Sequence, residues 1–180
     1  MKPKFFIPFL AVLMAAVLFI AGCSGPGKQP EVKIPQICQQ LSGEKIDSCV
    51  FSFAKSTKNE TLCPAAGGLN YSCYRALSLL KKDASLCEKT HPEMKGNCYF
   101  DVAVETQDGS LCEKSESRRD YCYSRISLDL NSPVFCNKAG AEKEACYYGV
   151  AYATKNASLC ESAGSLKESC YANIIQTNSS

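Results

Sequence analysis

The chemistry available to this chain of 180 residues is dominated by its 13 cysteines. Twelve of them are separated alternately by 14 residues and by 10 or 11 residues, while Cys23 stands apart near the N-terminus. Zinc sites usually bring two ligands together as Cys-x2–4-Cys, and thioredoxin-like sites need Cys-x-x-Cys. Neither spacing occurs, so the pattern favours disulfides, with copper or zinc storage by paired thiolates as the alternative. The twelve residues are Cys38, Cys49, Cys63, Cys73, Cys87, Cys98, Cys112, Cys122, Cys136, Cys146, Cys160 and Cys170.

Pairing each of these cysteines with its partner 10 or 11 residues away uses all twelve. Pairing across the 14-residue interval leaves Cys38 and Cys170 over. Two short antiparallel helices can bring such positions to the Cα separation of about 5.5 Å that a disulfide requires. Closing a loop of this length stabilises a fold by about 3 kcal/mol in the chain-entropy model. We therefore predict the pairs Cys38–Cys49, Cys63–Cys73, Cys87–Cys98, Cys112–Cys122, Cys136–Cys146 and Cys160–Cys170.

The elements that position these cysteines follow from the same spacing, which defines a repeat of 24 or 25 residues present six times. Residues that cap helices stand four positions before the first cysteine of repeats 2 to 6, namely Asn59, Asp83, Asp108, Ser132 and Asn156. Pro133 and Pro35 stand where a proline can begin a helix. After the second cysteine, apolar residues recur at helical spacing. The sequence predicts an all-α fold, a solenoid-like array of six short helix-turn-helix repeats stapled by disulfides.

The N-terminus has the layout of a secretory signal, with Lys2 and Lys4 followed by an apolar run from Phe5 to Ile20. The segment Ile20-Ala21-Gly22-Cys23 resembles the lipobox of prokaryotic lipoproteins. The resemblance implies that the chain is cut before Cys23 and that the sulfur of Cys23 carries a lipid. An uncleaved signal anchor is the alternative, and it also leaves the rest of the chain outside the cytoplasm.

This interpretation divides the chain into a signal peptide at 1–22, a lipidated N-terminus and flexible tether at 23–34, and the repeat domain at 35–180. We expect attachment to the cell membrane or outer membrane, with the repeats facing the periplasm or the cell exterior. In a Gram-negative host, Ser24 after the lipidated cysteine resembles lipoproteins that are sorted to the outer membrane.

The net charge limits the partners. Without Lys2 and Lys4, the remaining chain carries 18 basic and 18 acidic residues. Nucleic acids and anionic lipid surfaces attract clustered positive charge, so a neutral body argues against both as main partners. We expect the membrane to be contacted through the lipid on Cys23, and nucleic acid not to be bound.

The sequence offers no catalytic constellation. His91, the single histidine, lies beside a proline in a loop, and neither a Gly-x-Ser-x-Gly elbow nor a phosphate-binding glycine motif occurs. Glu88, Glu113 and Glu161 each follow a first cysteine, and we interpret them as carboxylates placed near a helix N-terminus. The sequence thus predicts no enzyme, no cofactor and no metal site.

Tyrosines are the most informative remaining side chains. Five follow the second cysteine of a repeat, which favours packing between neighbouring repeats, with a surface ladder for a glycan or peptide as the alternative. Tyr121, Tyr148 and Tyr152 fall outside that position and are the candidate partner contacts. Four glycosylation sequons occur, at Asn59, Asn70, Asn156 and Asn178, and we predict no role for them as sequons. Asn59 and Asn156 are also predicted helix caps.

These observations favour a lipid-anchored, extracytoplasmic binding or scaffolding module for a protein, peptide or glycan partner. A thiol-based metal-binding or redox protein on the same anchor is the alternative. Bound metal together with free thiols would distinguish the second function from the first.

Overall fold

The computed structural model describes residues 32–178, and within that range all regular structure is helical. The predicted signal peptide, at 1–22, and Cys23 lie outside the described residues. Each repeat begins with a short 3-10 helix and ends with an α-helix. In repeats 2, 4, 5 and 6 a second 3-10 helix of three residues lies between them, at Gly67–Leu69, Glu116–Arg118, Gly140–Glu142 and Gly164–Leu166, respectively. The α-helices are α1 (Glu44–Thr57), α2 (Asn70–Lys81), α3 (Pro92–Thr106), α4 (Arg119–Asp129), α5 (Lys143–Thr154) and α6 (Lys167–Asn178). The 3-10 helices that begin the repeats are Gln36–Cys38, Glu60–Ala65, Ala84–Lys89, Gly109–Lys114, Pro133–Lys138 and Ala157–Ser162.

Six disulfides join the 3-10 helix of each repeat to its α-helix, and they are the six predicted pairs. Their Cα–Cα distances lie between 5.4 and 5.7 Å, close to the usual separation. Eleven of the twelve cysteines are at most 1% exposed. The disulfides therefore form the centre of the array, where larger apolar side chains would otherwise be needed.

The first helix of each repeat has 3-10 geometry because it is only three to six residues long, a length for which this tighter helix is common. Four of the predicted caps are confirmed, since the side chains of Asn59, Asp83, Asp108 and Asn156 each accept a hydrogen bond from the backbone N–H two residues later. Ser132 makes no such bond.

The two prolines behave differently. Pro133 is the first residue of its helix, as predicted. Pro35 instead lies one residue before the helix, in extended conformation with φ −54° and ψ 137°. Pro35 was predicted to be the first helical residue, and this prediction was wrong by one position. Repeat 1 has Ile34 before the proline, where other repeats have a side chain that can cap the helix.

Tight turns connect the repeats. The residue nine positions after the second cysteine adopts a left-handed conformation in all five turns, with φ between 49° and 55°. None of the five is glycine: they are Lys58, Lys82, Gln107, Asn131 and Lys155. Each turn sends the chain directly from one α-helix into the 3-10 helix of the next repeat.

The repeats form an array because each α-helix packs against the 3-10 helix of its own repeat, the 3-10 helix of the following repeat and the neighbouring α-helices. The side chain four residues after the second cysteine is at most 2% exposed in repeats 2 to 6. These residues are Leu77, Val102, Ile126, Val150 and Ile174. A helical repeat array stapled by disulfides is therefore the architecture of this protein.

Between residues 32 and 178, no helix combines the length and apolar character that crossing a membrane requires. Six disulfides in one chain indicate an oxidising, extracytoplasmic environment.

Replacing both Cys112 and Cys122 with alanine should lower the free energy of unfolding by about 3 kcal/mol, because the loop between them is no longer closed in the unfolded chain. Urea denaturation followed by circular dichroism measures this change. The double substitution is needed because a single one leaves a free thiol that can exchange with other bridges. An unchanged free energy of unfolding would mean that packing between repeats, rather than the bridge, holds repeat 4 together.

Candidate functional site

The tyrosines that follow the second cysteines pack inside the array. Tyr99 and Tyr123 are each 1% exposed, and Tyr147 is also buried. The hydroxyl of Tyr123 donates a hydrogen bond to Glu113 Oε1 at 2.6 Å, and that of Tyr99 donates to Glu88 in the same way. Packing between repeats, the favoured interpretation of this tyrosine position, therefore describes Tyr99 and Tyr123.

The glutamates after the first cysteines thus have a different role from the one predicted. Glu113 lies in the last turn of the helix Gly109–Lys114, far from its N-terminus. Glu161 also accepts a hydrogen bond, from Tyr171 at 2.7 Å. The interpretation by helix N-terminus was wrong because the first cysteine is already the fourth residue of its six-residue helix, so the glutamate after it lies in the last turn.

Tyr99 and Tyr123 also contact the next repeat. The ammonium groups of Lys114 and Lys138 lie 5.0 and 5.6 Å from the ring centroids of Tyr99 and Tyr123, respectively. Burial, and then the hydrogen bond to the glutamate, raise the pKa of Tyr99 and of Tyr123 to about 12. In the unfolded chain a tyrosine loses its proton near pH 10. The stability that these two phenols contribute is therefore lost as the pH rises from about 10 to about 12.

Of the candidate contact residues, Tyr121 lies on a surface with Phe100 and Arg118, and we call these three residues the aromatic face. Tyr148 and Tyr152 lie on α5, in the following repeat. Tyr121 is 47% exposed and Tyr152 is 50% exposed. Tyr148 is half-buried, and its hydroxyl accepts a hydrogen bond from Asn173 Nδ2 at 2.6 Å. Tyr121 and Tyr152 are thus open to a partner, whereas Tyr148 is held by the next repeat.

Tyr121 is part of a stack of three side chains. Its ring lies 5.6 Å from that of Phe100 with an angle of 19° between the planes. The guanidinium of Arg118 lies 4.5 Å from the Phe100 ring centroid. Among the described residues, Arg118 forms no ion pair with a carboxylate, so its charge is available on this face.

Two open clefts meet at Tyr121. One, of about 300 Å³, is lined by Phe100, Val104, Arg118, Tyr121 and Arg125. The other, of about 320 Å³, lies between repeats 4 and 5 and includes Asp120 and Glu142. Aromatic and arginine side chains around shallow clefts are the composition that binding surfaces favour.

Sequence reasoning missed a contact that joins successive repeats through a carboxylate. Two residues before the second cysteine, Asp47, Asp120 and Glu144 each accept a hydrogen bond at 3.0 Å from a backbone N–H in the next repeat. The donor follows a glycine with positive φ, namely Gly67, Gly140 or Gly164. A hydrogen bond from Ala141 lowers the pKa of Asp120, and one from Ser165 lowers that of Glu144. The signal, an acidic residue 20 positions before a glycine, is visible only once the repeats are aligned.

His91, the cysteines and the sequon residues are the remaining candidate groups. His91 packs edge-on against Tyr71, with ring centroids 5.2 Å apart. The twelve cysteines are in disulfides, and the part of the chain that the structure describes has no cluster of three or more metal-ligating side chains. Of the sequon residues, Asn59 and Asn156 use their side-chain oxygens as helix caps.

Comparison with known proteins adds no relatives: no family model, curated protein or solved structure matches this chain.

Tyr121 is exposed and Tyr123 is buried, so alanine substitutions at these two positions compare the loss of a surface side chain with the loss of a core side chain. Tyr121→Ala should change the free energy of unfolding by less than about 1.5 kcal/mol, since it loses only the stack on Phe100. Tyr123→Ala should cost about 3–5 kcal/mol because it empties a fully buried site. Chemical denaturation of both variants tests this. An equally large loss at Tyr121 would reassign that side chain to the core.

Proposed function

We propose that this protein is a lipid-anchored extracytoplasmic binding or scaffolding module whose aromatic face holds a protein, peptide or glycan partner. The observation that carries the proposal is the stack of Tyr121, Phe100 and Arg118 between two open clefts. A rigid array is suited to this role because its surface side chains are held in place before binding, which lowers the entropy cost of association.

The charge of the aromatic face favours a partner that carries acidic groups beside an apolar or planar surface. Arg118 and Arg125 line the same cleft as Phe100 and Tyr121. Arg125 forms an ion pair with Asp129, in which Nε lies 3.1 Å from Oδ2. Arg118 forms no such pair among the described residues, so its charge can meet a partner. A guanidinium above an aromatic ring offers a bidentate donor to a carboxylate and a flat surface to a ring.

The alternative of a thiol-based metal or redox protein has less support. It requires thiolates, and the structure pairs all twelve cysteines of the repeats as disulfides. A role without catalysis is likewise part of the proposal: the glutamates after the first cysteines accept hydrogen bonds from tyrosine hydroxyls, and His91 packs against Tyr71.

The anchor is tested by replacing Cys23 with serine, which removes the sulfur that a lipid would join. The wild-type chain, expressed in a bacterial host, should fractionate with membranes and carry the added mass of acyl chains. Cys23→Ser should lose that added mass and remain with its signal peptide uncut. A wild-type chain that is cut before Cys23 but carries no added mass of acyl chains would contradict lipidation at Cys23.

The aromatic face is tested by placing a photoreactive amino acid at position 121 of the full chain in its membrane. Position 134 is the control, because Val134 is 59% exposed but lies outside the aromatic face. We expect a discrete adduct from position 121 that is weakened at least tenfold by Arg118→Ala, and no such adduct from position 134. Equal adducts from both positions would mean that the aromatic face is not the binding surface.

A further inference from the structure

Two of the four sequons are folded into the same turn. Asn59 and Asn156 each lie four residues before the first cysteine of a repeat, in extended backbone with φ −101° and −95°, respectively. The side-chain Oδ1 of Asn59 accepts two hydrogen bonds from Thr61, one from the backbone N–H at 3.1 Å and one from the hydroxyl at 2.7 Å. Ser158 donates the same two hydrogen bonds to Asn156, at the same distances. The asparagine and the hydroxyl that together define a sequon are therefore held side by side at both sites.

The side-chain nitrogen of these two asparagines is not used by the fold. The hydrogen bonds go to Oδ1, and among the described residues neither Nδ2 atom donates a hydrogen bond. Asn59 and Asn156 are exposed, as are Thr61 and Ser158. Asn59 also lines an open cleft of about 650 Å³, which leaves room for a bulky group. The nitrogen to which an N-linked glycan is attached is thus accessible at both sites.

Repeats 3 and 4 show that the fold requires only an oxygen at this position. Asp83 and Asp108 stand there, and each accepts a hydrogen bond at 2.9 Å from the backbone N–H two residues later. The hydroxyl of Ser110 also donates to Asp108, at 2.6 Å, as in the turns of repeats 2 and 6. Asparagine and aspartate cap helices about equally well. What distinguishes Asn59 and Asn156 from these aspartates is therefore an NH₂ group that capping does not use.

The sequon at Asn70 has a different geometry. Asn70 is the first residue of α2, with helical φ −56° and ψ −46°. Ser72 lies two residues further along the same helix, and side chains two residues apart on a helix do not face each other. An enzyme that reads the asparagine and the hydroxyl together therefore finds them apart at Asn70. The sequon at Asn178 extends beyond the described residues.

We propose that Asn59 and Asn156 carry N-linked glycans, which are added to the folded chain outside the cytoplasm. The donor is a glycan joined through its anomeric carbon to a polyprenyl phosphate or diphosphate. Nδ2 attacks this carbon, the bond between the carbon and the phosphate oxygen breaks, and the lipid phosphate leaves with the electron pair of that bond. Nδ2 gives one proton to a base of the transferring enzyme. Oδ1 is not consumed, so each asparagine still caps its helix.

This inference needs the extracytoplasmic environment that the six disulfides indicate. It needs neither the lipid on Cys23 nor a partner on the aromatic face, so it does not rest on the proposed function. The two can also fail separately, because glycans are read from peptide masses whereas a partner is read from the adduct at position 121.

The test isolates the chain from the cells that naturally produce it and maps its peptides by mass spectrometry. Glycan occupancy should be at least tenfold higher at Asn59 and at Asn156 than at Asn70. Asn59→Asp and Asn156→Asp should each remove one glycan and keep all six disulfides, because aspartate caps the same helix in repeats 3 and 4. Thr61→Val should also remove the glycan at Asn59, whereas Thr61→Ser should keep it.

A gain of glycan at Asp108 tests the turn directly. Asp108→Asn completes a sequon with Ser110 in a turn of the same geometry, so the variant should gain one glycan. Asp108→Gln is the matched control, since it brings an amide without a sequon and should gain none. A wild type without glycan at Asn59 or at Asn156 would overturn the proposal. Equal occupancy at Asn70, or an Asp108→Asn chain with six disulfides and no added glycan, would do the same, because the folded turn would then not select the sites.

Discussion

The structure depends on a covalent constraint of 10 or 11 residues, repeated six times. Each disulfide holds a 3-10 helix of at most six residues against an α-helix of at most 15, elements that are too short to be stable alone. Once they are joined, each pair presents a fixed surface to the next pair. Neighbouring repeats then add the buried tyrosines, the lysines over their rings and the carboxylates on the glycine turns. The disulfides beneath the aromatic face therefore hold its side chains in place.

The repeat, the pairing of cysteines and most helix caps could be predicted because they are local and periodic. Asp108, for example, caps a helix with the N–H of Ser110, only two residues away. Contacts between repeats were harder to predict, because they depend on the rotation between one helix pair and the next. Asp120 shows this clearly: it lies in repeat 4, and its carboxylate accepts a hydrogen bond from the backbone N–H of Ala141 in repeat 5.

The candidate site was only partly visible in the sequence for the same reason. The sequence distinguished Tyr121, Tyr148 and Tyr152 from the buried tyrosines only because they do not directly follow the second cysteine of a repeat. The sequence did not distinguish among the three, yet Tyr148 is held by Asn173, 25 residues further along the chain. Phe100 and Arg118 were missed because their contact with Tyr121 spans two repeats. Neither residue belongs to a motif or a repeated position, so only the folded arrangement shows that Phe100 and Arg118 stack beside Tyr121.

The pairing of each cysteine with the next one along the repeat domain has a consequence for how the protein matures. A chain that crosses a membrane N-terminus first presents Cys38 and then Cys49 to the oxidising side before Cys63 has emerged. Once that bridge has formed, Cys63 has only Cys73 as its nearest free neighbour. Within the repeat domain, oxidation in the order of emergence therefore joins each cysteine to its native partner, without a later exchange of bonds.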